Sequence, residues 1–167
     1  SQVMQQIAAE YKDRIFFETL SGGMIPKESA RHIGKMAGYI KGAYKNVEDL
    51  TGIRFGEDYL WHINNPEQSD WFPHSEKAAI AMAVFKDYYP ADTVDFAADL
   101  QKSLHIEGRD LTDNEAYRHL LEKYDIPADE FYQKLDSEEY KEKSYYEFTL
   151  VKQLQVTGFP AVLLQAD

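Results

Sequence analysis

The sequence predicts an α/β protein, mostly helical by content, and three observations carry that prediction. Two short apolar runs of strand character lie near the two ends, at 14–19 (RIFFET) and 161–165 (AVLLQ). Almost everything between them repeats apolar residues at helical spacing. No internal repeat or low-complexity linker divides the chain, and its 167 residues amount to one domain.

Val3, Ile7 and Tyr11, joined by Met4 and Ala8, mark an amphipathic helix near 2–12. Ile15, Phe16 and Phe17 form a continuous apolar stretch, the pattern of a buried strand. Ser21-Gly22-Gly23 ends it, since glycine reaches backbone angles that other residues resist. Pro26 and Ser29 introduce a helical region over 28–50, which Gly34, Gly38 and Gly42 are expected to kink or break. Thr51-Gly52 closes that region. Residues 55–61 (FGEDYLW) read as an irregular aromatic segment and Asn64-Asn65-Pro66 as a loop. From Ser75, the expected N-cap, Ala78, Met82, Phe85 and Tyr89 share one helix face, and Pro90 stops that helix. A further helix over 92–104 packs Val94, Ala97, Leu100 and Leu104. Gly108 breaks the chain, and Thr112 or Asp113 caps a helix near 114–124. Residues 125–127 turn into a short helix near 128–135, and Ser137 opens the last long helix, to about Gln155. Two short strands alone do not make an independently stable sheet.

Charge narrows the partners. With 29 acidic against 18 basic residues the formal net charge is -11, which argues against nucleic acid or an anionic membrane, because both need clustered Lys and Arg. No apolar run approaches the ~20 residues that span a bilayer, no secretory signal is visible, and a cytoplasmic location is expected. The chain has no cysteine, so disulfides, thiolate zinc sites and thiol nucleophiles are excluded within it. The five histidines, His32, His62, His74, His105 and His119, include no i, i+3 or i, i+4 pair and no HExxH, so neither a metal nor a cofactor is expected. His119, with Glu115 and Glu122 one turn away, reads as a solvated charge cluster. Asp110 is expected to cap backbone N–H groups and Arg109 to staple its turn to a neighbouring helix; the other reading has Arg109 hold an anionic substrate. Trp61, Trp71 and Phe72 line a substrate groove or belong to the core, and both readings stand.

One motif has a chemistry of its own. Residues 156–160 (VTGFP) follow a helix and precede an apolar run. Proline at the mouth of a strand removes a donor and lowers the cost of a cis bond, leaving the residue before it free for β-type pairing with an extended substrate. SGGM (21–24), TGIRFG (51–56), FPHSEKAAIA (72–81) and EGRDLTD (107–113) precede it in that order. Together these segments resemble the DsbA-like branch of the thioredoxin fold, in which predicted protein-disulfide isomerases stand beside 2-hydroxychromene-2-carboxylate isomerase and the kappa-class glutathione transferases. The resemblance runs over essentially the whole chain and is most specific in EGRDLTD and TGFPA. It departs at His105, where a bulkier aromatic or aliphatic residue is expected.

The resemblance implies a thioredoxin-like domain made of 1–25 and 156–167, with an α-helical insertion over 26–155 and a cis bond at Phe159–Pro160. It implies a thiol–disulfide oxidoreductase or protein disulfide isomerase acting on protein or peptide thiols and disulfides. A glutathione-dependent isomerase or transferase, with glutathione as partner, and a cysteine-free peptide-binding module are the alternatives. The family's CxxC motif would fall just before Ser1 and its last strand and helix after Asp167, so no catalytic residue is expected here. The substrate-binding residues implied are Gly158, Phe159 and Pro160, with Gly22 and Gly23 bordering the same groove and Trp61 and Trp71 as further lining. The family arrangement sets another strand between the two apolar runs, so they are not expected to pair directly.

Overall fold

The computed structural model describes residues 2–165, and among them every regular element is a helix. The order is α1 (Gln2–Tyr11), α2 (Gly34–Thr51), α3 (Glu57–Asn64), α4 (Glu76–Tyr88), α5 (Thr93–His105), α6 (Arg118–Lys123), α7 (Ala128–Leu135) and α8 (Glu138–Gln153). Short 3-10 turns at Lys27–Ser29, Pro66–Gln68, Pro90–Asp92 and Asn114–Tyr117 join them. The runs at 14–19 and 161–165 are irregular chain, so for the described residues the α/β expectation is corrected to all-helical. The reason is physical. A strand exists only through a ladder to a neighbour, and no backbone hydrogen bond joins these two runs among the described residues. Phe16 and Leu164 are accordingly 76% and 82% exposed. The expectations about chain before Ser1 and after Asp167 lie outside the described residues.

The main core forms around α4, which is buried over Ala79–Phe85 on every face because α5, α7 and α8 surround it. Phe85 stacks on Phe96 with ring centroids 4.0 Å apart, and Tyr124 meets Phe85 edge-on at 4.9 Å. Tyr117 is fully buried and its hydroxyl donates to the Leu111 carbonyl at 2.6 Å. Burial raises the Tyr117 phenol's pKa, so it stays a neutral donor there. A second, smaller core joins α2 to α3 through Ile33, Ala37, Tyr59, Ile63 and Trp71.

Two further readings change. Residues 57–64 are helical, not irregular: Glu57 and Asp58 sit in the first turn, where acidic groups complement the dipole, and Tyr59 and Ile63 point into the core at i, i+4. α2 begins at Gly34 and continues past Gly38 and Gly42. A Cβ at either glycine would meet nothing within 4 Å. Neither seats a close contact, and the propensity cost of about 1 kcal/mol each is outweighed by packing elsewhere along the helix. Gly52, at φ 72°, ends α2 by donating its N–H to the Glu48 carbonyl.

Candidate functional site

The chain between α1 and α2 is what α4 and α8 hold in place. Glu147, buried on α8, accepts the Ser21 N–H at 2.8 Å and pairs with Lys86 of α4. Ser75 does not cap α4 with its side chain; its hydroxyl instead accepts the Ile25 N–H at 3.0 Å, while its own N–H donates to the Ile25 carbonyl at 2.8 Å. One residue on, the buried Glu76 carboxylate accepts the Lys27 N–H at 2.9 Å and the Tyr145 hydroxyl at 2.8 Å. Burial alone would raise the Glu76 pKa, but these two hydrogen bonds, aided by nearby Lys141, hold it below the usual carboxylate value. The same bond pushes the Tyr145 phenol up to about 12.

Segment 19–24, fixed in this way, faces α4 and α5 across an open groove of about 300 Å³. Ala79 and Met82 of α4, Ala97, Leu100 and Leu104 of α5, and Leu111 make its walls apolar. Phe159 stands at its edge. A Cβ added to Gly22 would fall inside the Phe159 ring, so glycine is what lets that ring lie against the backbone. Gly23, at φ 65°, adopts a conformation that favours glycine and packs on the Phe148 ring of α8. The Phe159–Pro160 bond is cis. Neither the N–H nor the C=O of Phe159 has a backbone partner among the described residues.

The other residues singled out from sequence are distributed differently. Gly158 has open space around it, and neither it nor Pro160 lines the groove. Trp71 is 6% exposed in the second core, stacked on His62 at 3.8 Å, and Trp61 is half-exposed, edge-on to the same imidazole. Neither tryptophan joins the groove. The groove face of α5 is formed by Ala97, Leu100 and Leu104, which helical spacing marks in the sequence, together with His105, which it does not.

The EGRDLTD turn holds a tight polar cluster. Asp110 caps it, accepting the Thr112 N–H at 2.9 Å. Arg109 does not reach a neighbouring helix; its Nε donates to Glu107 within the same turn at 2.7 Å. His119 also departs from its expected solvated setting. Its Nε2 lies 2.9 Å from the hydroxyl of fully buried Ser103 and 3.3 Å from Glu107. Burial, with Arg109 nearby, lowers its pKa. Ser103, His119 and Glu107 match a nucleophilic triad in composition, not in geometry. Both contacts fall on one ring nitrogen, Nδ1 is buried without a partner, and the serine is closed to solvent. Among the described residues, no three His, Asp or Glu side chains converge as a metal site, and no helix is long and apolar enough to cross a membrane.

No protein-family model and no curated protein matches the chain. Among solved structures it is similar to one described as that of "a putative protein disulfide isomerase from Nitrosomonas europaea", with a TM-score of 0.79 and 20% identity. The match covers 99% of this chain and 76% of that one. The chain therefore shares that protein's fold, in line with the DsbA-like resemblance of its motifs.

Proposed function

We propose that this chain is the substrate-gripping part of a thiol–disulfide oxidoreductase, a protein disulfide isomerase of the DsbA-like kind, and that it holds extended protein or peptide segments. The observation that carries this reading is Phe159 set against Gly22 at the edge of an apolar groove. The unpaired N–H and C=O of Phe159 offer β-type hydrogen bonds to an extended chain, and the groove beside them takes up one apolar side chain of it. In the accompanying chemistry a thiolate attacks one sulfur of a disulfide. A new S–S bond forms as the old one breaks, and the displaced sulfur leaves as thiolate. These 167 residues contain no cysteine, so they supply the grip and not the thiolate. The glutathione reading is weaker because Arg109, the cation it would use, is bonded to Glu107.

The experiment is a titration of a fluorescently labelled polypeptide, reduced and carbamidomethylated so that it stays unfolded. Phe159→Ala should weaken its binding roughly tenfold, the scale of an aromatic anchor at an interface, with an unchanged unfolding midpoint because Phe159 is 44% exposed. Equal binding by the variant and the parent protein would remove the reading.

A further inference from the structure

We infer that the groove selects a phenolic side chain, the tyrosine of an extended peptide, whose hydroxyl donates to the imidazole of His105; the inference rests on the peptide-gripping reading above and adds the class of side chain to it. His105 ends α5 and lines the groove. Its ring is wedged edge-on between Phe55 and Tyr59, with centroids 5.6 and 5.2 Å away. Two aromatic neighbours at near-perpendicular angles fix the plane of the imidazole.

The hydrogen bonding of that ring is one-sided. One of its nitrogens donates to the Gln101 carbonyl, one turn back on α5. Neutral imidazole has one donor and one acceptor, so the second nitrogen presents a lone pair. Burial lowers the His105 pKa, with the Gln101 bond opposing in part, and so favours the neutral form that has this lone pair. Two of the hydroxyls in the groove wall are already engaged, Thr19 with Thr93 and Ser75 with Ile25, and Ser21 belongs to the segment across the groove from α5. The rest of the lining is mainly apolar, with Ala79, Met82, Leu100 and Leu111 among it.

A ligand suited to this site needs an apolar body with one donor. Its size is bounded too, because about 300 Å³ is at the small end of ligand sites and suits one side chain. Phenylalanine fills the same space but leaves the imidazole acceptor unpaired. An acidic side chain brings an acceptor to an acceptor. Tyrosine satisfies both the walls and the nitrogen.

The test uses two synthetic hexapeptides, identical except for a central Tyr or Phe, each titrated calorimetrically into the protein and into His105→Phe. The parent protein should bind the Tyr peptide about tenfold more tightly, as expected when a buried acceptor is paired or left unpaired. His105→Phe should bind both peptides alike. Equal affinities in the parent protein would overturn the inference without recourse to the variant, while the grip at Phe159 would still be read from Phe159→Ala. Absence of binding by both peptides, together with no effect of Phe159→Ala on the unfolded polypeptide, would overturn the groove reading itself and this inference with it.

Discussion

α4 and α1 are helices of similar length with opposite fates. α4 buries Glu76 and everything from Ala79 to Phe85, whereas α1 buries no residue at all. Val3 and Ile7 of α1 are 63% and 37% exposed, and a side-chain bond from Gln5 to Asp95 at 2.9 Å helps tie the helix to α5. Yet both are helices. A helix closes its hydrogen bonds on itself, so α1 keeps its backbone paired with little tertiary support. Residues 14–19 have no such recourse, because a strand's donors and acceptors need a neighbour. Apolar patterning therefore wrote a helix in one place and irregular chain without a strand partner in the next.

The largest effect is expected at the centre of α4. Phe85→Ala removes a ring that is 0% exposed, stacked on Phe96 and met edge-on by Tyr124. It should cost about 4 kcal/mol, read as a fall in the urea midpoint by far-ultraviolet circular dichroism. A loss like that of a surface substitution would mean that α4 is not the centre of the fold.

An intermediate effect belongs to the clamp between the two regions. Glu76→Gln keeps the shape but weakens the bonds to Lys27 and Tyr145, and should cost about 2 kcal/mol at pH 7. The unfolded carboxyl titrates near 4.5 and the folded one lower. Its contribution is thus present in full above the unfolded value and is lost as pH falls through the folded one. The gap between parent and variant should narrow below pH 4.5, measured as unfolding midpoints across an acid series. A gap that persisted at low pH would assign the effect to packing instead of charge.

The smallest effect is expected at the far end. Leu164→Ala, on a side chain 82% exposed, should change stability by less than about 0.5 kcal/mol. A larger loss in the same urea titration would show that 161–165 is packed in solution.

Much of the fold was legible because α4 and α5 repeat apolar residues at clean helical spacing and the boundaries are marked, by Pro90 as a stop and by Asp113 and Ser137 as N-caps. α3 was not, because Tyr59-Leu60-Trp61 runs apolar round the whole turn and only Tyr59 and Ile63 are buried. His119 misled because its sequence neighbours Glu115 and Glu122 are acidic, while its spatial partners come from α5 and the turn after it. The site was half legible. Gly22, Gly23 and Phe159 announced themselves as turn and proline-loop residues. That Phe159 would lie on Gly22, and that α5 would supply the facing wall, depends on how distant segments pack, which no local pattern encodes.

α8 has a mechanical consequence for the groove. Glu147 and Phe148 on this one helix hold segment 21–23, and the chain leaving its C-terminal end carries Phe159. Both jaws are thus mounted on a single rod. Phe159, 44% exposed at the groove edge, is free to change rotamer on the order of nanoseconds or less, far faster than a domain hinge would move.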